Sequence, residues 1–286
     1  LMIRFQAKPN IANLTILVQN TLWGQFGLLF KHARLGFKVL ASLIFILTGS
    51  VVYAAEDPVN CTATGTITLS SQAHVDNFQS SYGQCDTTPF GLSITGDNIT
   101  NLSGLADLKT VRGNLDITDA YRLNNYAGLA NLQAIEGRLM ISQSGWSNYS
   151  SVSDYQIDMA SLVSIGGDLD VSGTRTDRLT SMQFPVLESL GGTINFNEVP
   201  SLSSISLPVL TSVPGTLRIN GVPIKNVDSF SNITTIGGDL TIANSGGLVD
   251  VAGLSNLKSL SGALTIMDNG NLANLSGFSK LTAIGG

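Results

Sequence analysis

Three aspartates on one side of a predicted sheet are the first candidates for chemistry. Asp168 and Asp170 alternate within a predicted strand, so both side chains face the same side, and Asp116 has the position of Asp170 two repeats earlier. Sugar-cleaving enzymes use paired carboxylates, but two strand spacings put Asp116 about 10 Å from Asp170, which makes a poor acid–base pair. We therefore expect a solvated sheet face here, with a polysaccharide-active β-helix enzyme as an alternative.

Histidine is scarce, and this limits nucleophilic and metal chemistry. The chain has two histidines, His32 and His74, and His32 lies in a basic stretch that we assign to the leader. Ser-His-Asp catalysis and histidine-based metal sites therefore have little to draw on. No glycine-rich phosphate loop is present. We predict that the protein is not an enzyme and has no cofactor and no metal site.

Tyrosine, tryptophan and arginine are concentrated in neighbouring segments that each follow a predicted strand. These residue types dominate binding hot spots, and loops on a rigid scaffold commonly carry function. Aromatic faces also suit sugar rings. The predicted ligand-binding residues are Tyr121, Arg122, Tyr126, Trp146, Tyr149, Tyr155, Arg175 and Arg178. The alternative is that these rings cover the flank of the fold.

A repeat of 23 to 25 residues positions these side chains. Its core pattern is Gly-x-[Leu/Ile]-x-[Ile/Val/Phe], after a degenerate first copy at Phe90–Ile94. The Leu or Ile of successive copies is at position 92, 115, 139, 169, 194, 217, 240 and 264. The step from 139 to 169 is longer, because the segment Ser142–Gln156 adds about six residues to one repeat.

Each copy predicts a short strand followed by a different kind of segment. Within a copy the two apolar residues face one side and the polar residue between them faces the other. The following residues are apolar at every third position, as in Ile99, Leu102, Leu105, Leu108 and Val111. That spacing drifts by about 60° per step around an α-helix, so it predicts an extended, bent path.

One strand and one return path predict one coil of a solenoid. Stacking puts equivalent strands in a parallel sheet at roughly 4.8 Å per coil, and parallel crossovers are usually right-handed. The predicted fold class is all-β, a right-handed parallel β-solenoid of about eight coils over residues 91–286. Because the sequence ends at "AIGG", where a ninth strand is due, we expect a truncated C-terminus.

Residues 56–90 predict an N-terminal cap for the solenoid. The stretch "GTITL" (Gly65–Leu69) predicts a strand, and Ser71 can cap a short helix that carries Val75 and Phe78 on one face. The two cysteines of the chain, Cys61 and Cys85, bracket this unit.

The charge of the chain indicates export. The first 55 residues hold five basic residues and no acidic one, and the apolar run Val39–Val52 is followed by small residues. Residues 31–55 therefore predict a signal peptide, with an uncleaved signal-anchor as the alternative, and residues 1–30 a leader outside the fold. We expect an extracellular or cell-surface protein, so that the cysteines meet an oxidising compartment and pair as a disulfide.

The remainder of the chain is acidic, which restricts its partners. It has ten lysine and arginine residues against all twenty acidic residues, a net charge of about −10. Such a surface disfavours nucleic acid and anionic membrane faces. Membrane attachment is expected only through an uncleaved signal-anchor or through a part that follows Gly286.

These features resemble the receptor L-domain family, and most closely the microbial surface proteins with L-domain-like repeats. The resemblance covers about Cys61 to Gly286 and rests on the cysteine-bracketed helix and three stretches. They are "LSGLADLKTVRGNLDI" (Leu102–Ile117), "NITTIGGDLTI" (Asn232–Ile242) and "LSGFSKLTAIGG" (Leu275–Gly286). The resemblance implies a leucine-rich β-solenoid, and it transfers no functional residue because the shared motifs are structural.

The sequence therefore predicts an exported, non-enzymatic binding module for recognition or adhesion, with a protein or a glycan as its extracellular ligand. A structural spacer of a cell wall or surface layer is the first alternative, and the polysaccharide-active enzyme is the second.

Overall fold

The computed structural model describes residues 61–142, 154–173 and 178–286. The predicted leader, residues 1–30, and the predicted signal peptide, residues 31–55, lie outside the described residues, as do the first five residues of the predicted cap.

Nine parallel strands form the main sheet, and their order in space is their order in the chain. The strands are Ile67–Leu69, Leu92–Thr95, Leu115–Thr118, Leu139–Ser142, Leu169–Ser172, Ile194–Asn197, Leu217–Asn220, Leu240–Ala243 and Leu264–Met267. Equivalent repeat positions pair in register, with Leu169 beside Leu139 and Ile194. This arrangement confirms the predicted parallel β-solenoid, and the first strand is the "GTITL" strand of the predicted cap.

Two-residue strands form the second side of the coils. One sheet contains Thr87–Thr88, Thr110–Val111, Ala134–Ile135, Ser164–Ile165 and Ser189–Leu190, and the next contains Ser212–Val213, Thr235–Ile236, Ser259–Leu260 and Ala283–Ile284. A short turn rich in glycine then connects each of these strands to a main-sheet strand, except after Ala283–Ile284.

The third side of the coils differs between the ends and the middle. Five coils have one turn of 3-10 helix, at Ser103–Leu105, Ala127–Leu129, Asp228–Phe230, Ala252–Leu254 and Ser276–Phe278. The three middle coils have strands instead, at Tyr155–Asp158, Leu179–Gln183 and Ser204–Ser206, which form a parallel sheet.

The 3-10 turns correct the predicted extended path. A 3-10 helix has three residues per turn, so an apolar residue at every third position stays on one face. Leu102, Leu105 and Leu108 are accordingly all fully buried. The path is extended in the middle coils, where Tyr155, Ile157 and Met159 are buried at every second position.

The Gly-Gly pair before several main strands exists because adjacent coils approach closely. A Cβ on Gly191 would lie 1.9 Å from the carbonyl oxygen of Gly166 in the preceding coil. A Cβ on Gly192 would lie 2.0 Å from Oδ1 of Asp168, which accepts the backbone N–H of Thr193 at 2.7 Å. The first glycine therefore makes room for backbone and the second for a side chain that links two coils.

The N-terminal cap has the predicted parts, although its helix is divided in two. The Ser71 hydroxyl accepts the backbone N–H of His74 at 3.2 Å and caps the helix Gln72–Asp76, and a second short helix, Phe78–Tyr82, follows. Both Val75 and Phe78 are fully buried. Cys61 and Cys85 form the predicted disulfide.

Candidate functional site

The outward side of the main sheet has a row of side chains that changes from coil to coil. We call this row, formed by the second residue of each main strand, the outer row. It consists of Thr68, Ser93, Asp116, Met140, Asp170, Asn195, Arg218, Thr241 and Thr265, each beside the next in register. Its middle therefore combines a carboxylate, a carboxamide and a guanidinium on three consecutive strands.

A concavity lies over the middle of the outer row. Its volume is about 410 Å³, and we call it the central concavity. The residues that line it all have polar side chains: Asp168, Asp170, Thr193, Asn195, Asn197, Thr216 and Arg218. The size falls in the usual range for small-molecule sites, although most such sites have a more apolar lining.

Two oxygen atoms in the central concavity are buried without a hydrogen-bond partner among the described residues. They are Oδ1 of Asp170 and Oδ1 of Asn195, which are neighbours on paired strands. Leaving such an acceptor unsatisfied costs about 1–3 kcal/mol, so buried polar atoms normally have partners. Both residues are only half-buried on the outward face, so a small side-chain rotation would present these acceptors to a hydrogen-bond donor in the concavity.

Positive charge lies on both sides of these two oxygens. Arg218 is beside Asn195 on the next strand, and Arg138 lies on the preceding coil. Nε of Arg138 donates to Oδ1 of Asp116 at 2.9 Å. That hydrogen bond raises the pKa of Arg138, and Asp170 and Asp168 raise it further through their charges. Asp116 is thus held in an ion pair, which weakens it further as a catalytic partner for Asp170.

The described residues contain no group of three or more histidine, cysteine, aspartate or glutamate side chains that could hold a metal ion.

Two of the predicted ligand-binding residues are in the core. Tyr126 is 2% exposed and Tyr155 is 5% exposed, and their rings stack with centroids 5.6 Å apart. Tyr155 opens a strand of the third side and Tyr126 precedes a 3-10 turn, so both rings fill the interior where these two structures meet. The expectation that these two rings are displayed to a ligand is therefore wrong. Burial raises the pKa of Tyr126, and the nearby Tyr155 adds to this effect.

The other described residues of the predicted set are at the surface. The Tyr121 hydroxyl donates to Oδ1 of Asp119 at 2.8 Å, and Arg122 is exposed. Nη1 of Arg178 lies 3.4 Å from Oδ1 of Asp154, and this exposed pair joins two coils. Trp146, Tyr149 and Arg175 lie outside the described residues. Their role in ligand binding stays a prediction.

The sequence of the outer row predicts a solvated face and does not reveal the central concavity. The available signal was the succession of Asp170, Asn195 and Arg218 at equivalent positions of consecutive repeats. The partnerless oxygens could not be found this way, because hydrogen-bond satisfaction depends on side-chain positions across three coils.

The fold and the site define a leucine-rich β-solenoid with a disulfide-bracketed N-terminal cap and a polar outer face. Residues 210–285 match the family model of the Receptor L domain, which confirms the resemblance found in the sequence. Receptor L domains are extracellular, ligand-binding domains rather than enzymes. No curated protein matches the chain. Within the described ranges, no helix has the length and apolar character needed to cross a membrane.

Proposed function

We propose that the protein is an exported, non-enzymatic recognition module that binds an extracellular protein or glycan through the outer face of its main sheet. The Receptor L domain match over residues 210–285 supports ligand binding outside the cell. The disulfide Cys61–Cys85 supports an oxidising compartment, which suits a secreted or surface-held chain.

The single observation that carries the proposal is the pair of partnerless oxygens on Asp170 and Asn195. Stacking of the coils does not need these two side chains, because the inward Leu169, Val171, Ile194 and Phe196 already fill the core of the same strands. Polar groups that destabilise a fold without a structural role are typical of binding sites.

The surface residues Tyr121, Arg122 and Arg178 lie at the edge where the chain passes from the main sheet to the third side of the coils, and Arg178 directly precedes the third-side strand Leu179–Gln183. They follow the strands Leu115–Thr118 and Leu169–Ser172 in the chain, and the second of these strands also carries Asp170. We propose that they contact the same ligand, together with Trp146, Tyr149 and Arg175. A ligand that spans both the concavity and this edge would suit an adhesive function.

An array of extracellular polysaccharides and surface proteins tests the proposal. The full chain is compared with Asp170→Leu/Asn195→Leu, and with the matched control Ser164→Leu/Ser189→Leu. The control places two leucines on neighbouring coils of the second side, so it accounts for nonspecific adhesion. We expect the wild type and the control to capture a component of the array, and the Asp170→Leu/Asn195→Leu variant not to capture it.

Three outcomes would contradict the proposal. Equal capture by both variants would place binding away from the outer row. No capture by any form, with an unchanged circular dichroism spectrum, would favour a structural spacer. Release of soluble sugar from an arrayed polysaccharide, abolished by Asp170→Asn, would instead favour the enzyme.

A further inference from the structure

We infer that the central concavity binds an acidic saccharide, with hydroxyl groups at Asp170 and Asn195 and a carboxylate at Arg218. This inference rests on the proposed function, because it names the ligand class of the same site.

A ligand that engages the two partnerless oxygens must donate hydrogen bonds. The carboxylate of Asp170 accepts hydrogen bonds, and the buried oxygen of Asn195 does the same. Sugar hydroxyl groups both donate and accept hydrogen bonds. Two hydroxyls on one ring can donate to side chains on neighbouring strands, which lie about 4.8 Å apart. An apolar ligand would leave both oxygens unsatisfied.

The local charges leave Arg218 as the cation of the lining that an anionic group can meet. Arg138 is held by Asp116, so its charge is already neutralised, whereas Arg218 lines the concavity together with Asp168 and Asp170. The negative charges of Asp168 and Asp170 already favour the charged form of Arg138. Neutral hydroxyl donors can bond to Asp170 and Asn195 without adding charge there, and the anionic group of the ligand is placed at Arg218, on the far side of Asn195 from Asp170.

Arg218 supplies the anion-binding part of the concavity. Its side chain is exposed, and it forms no ion pair with any residue in the described ranges. A guanidinium group binds a carboxylate through two parallel hydrogen bonds, which makes an arginine without an acidic partner a suitable recognition group.

The spacing along the outer row fits one sugar ring. Asp170 and Arg218 are on strands that are two apart, so their backbones are separated by about 10 Å. A separation of this size accommodates one six-membered sugar ring with a hydrogen bond on either side.

The threonines in the lining can contribute further contacts. The hydroxyl oxygens of Thr193 and Thr216 accept backbone N–H groups of the next coil, each at 3.2 Å. This arrangement fixes both hydroxyls and leaves their hydrogens to donate to oxygen atoms of the ring.

Calorimetric titration of the full chain with uronate oligosaccharides tests the inference. The probes are fragments of polygalacturonate, alginate and hyaluronan, and each uronate is compared with its methyl ester, which retains the ring and hydroxyls but has no charge. We expect at least one uronate to bind, and its ester to bind roughly tenfold more weakly, as loss of a charge-assisted hydrogen bond predicts.

The variants separate the two halves of the site. Arg218→Gln should weaken binding of the acid roughly tenfold and abolish the preference for acid over ester. Asn195→Leu should weaken the acid and the ester by the same factor. Thr265→Val, on the same row but outside the concavity, should leave both affinities unchanged.

Three results would overturn the inference. Equal binding of acid and ester, or a preference that Arg218→Gln leaves intact, would refute the carboxylate assignment. Capture of a protein on the array that is lost in Asp170→Leu/Asn195→Leu, with no uronate bound in the titration, would refute a saccharide as the ligand. It would leave the proposed function standing. Failure of both the array and the titration would refute both.

Discussion

The same repeat produces two outward rows with opposite character. The outer row of the main sheet contains Asp, Asn, Arg, Met, Ser and Thr, and its residue changes at almost every coil. The second side has a corresponding row, formed by the first residue of each two-residue strand. It contains only small residues: Thr87, Thr110, Ala134, Ser164, Ser189, Ser212, Thr235, Ser259 and Ala283. We call it the small row.

Stacking of the coils restricts the residue types at the inward positions and in the small row, but not in the outer row. In the small row a small side chain is found in every coil, whereas in the outer row the charge and size of the side chain change between most neighbouring coils. Inside the solenoid the buried positions repeat as Leu, Ile or Val in nearly all coils. Specific recognition needs chemical variety on a rigid surface, and of these rows the outer row has it.

The largest effect is expected where the repeated positions are broken. Gly191→Ala puts a Cβ 1.9 Å from the Gly166 carbonyl oxygen, so the two coils must separate. We expect a loss of about 3 kcal/mol in the free energy of unfolding, measured by urea denaturation. Gly246→Ala is the matched control, because its Cβ would meet no atom within 4 Å. Equal losses in the two variants would show that coil spacing does not limit this position.

A smaller effect of opposite sign is expected on the outer row. Asp170→Leu/Asn195→Leu removes two unsatisfied buried oxygens, so we expect the free energy of unfolding to rise by about 1–3 kcal/mol while binding is lost. Ser164→Leu/Ser189→Leu on the small row should give no such gain. A lower melting temperature of Asp170→Leu/Asn195→Leu in thermal unfolding would mean that these polar groups hold the coils together.

The buried tyrosine pair predicts a pH effect confined to the alkaline range. Burial raises the pKa of Tyr126, so the folded chain keeps a proton that the unfolded chain loses above about pH 10. The free energy of unfolding should therefore fall as the pH rises beyond about 10. Tyr126→Phe should make this fall less steep in denaturation curves between pH 9 and 11. An unchanged slope would contradict the assignment.

The smallest effect is expected for the ion pair at the edge of the binding face. Arg178 and Asp154 are 41% and 65% exposed, and such pairs contribute about 0–1 kcal/mol. Arg178→Gln should thus leave the melting temperature almost unchanged. If Arg178 contacts the ligand as we propose, the same variant should weaken capture on the array, whereas unchanged capture would remove it from the site.

The sequence predicts the architecture well because the repeat signal is summed over many coils. The strands, the register and the disulfide follow from leucine spacing and two cysteines. The third side was harder to predict, since a period of three fits both an extended path and a 3-10 turn. Tyr126 and Tyr155 were misplaced because Tyr has an apolar ring with a polar tip and suits both core and surface.

The site was less predictable for a physical reason. A row of polar residues on a sheet has the same sequence signature whether it is only solvated or also binds. The difference lies in whether neighbouring side chains satisfy one another, as Arg138 and Asp116 do and as the buried oxygens of Asp170 and Asn195 do not.

Methionine oxidation gives the most direct test of the outer row as the binding surface. Met140 is next to Asp170 on this row, and Met267 lies on the same side of the sheet near its far end, 51% exposed. The full chain is oxidised with peroxide, with and without a saturating amount of the best-bound array component, and sulfoxide is quantified by mass spectrometry. We expect the ligand to slow oxidation of Met140 and to leave Met267 unchanged. Equal oxidation of Met140 with and without bound ligand would place the ligand elsewhere and contradict the proposed function.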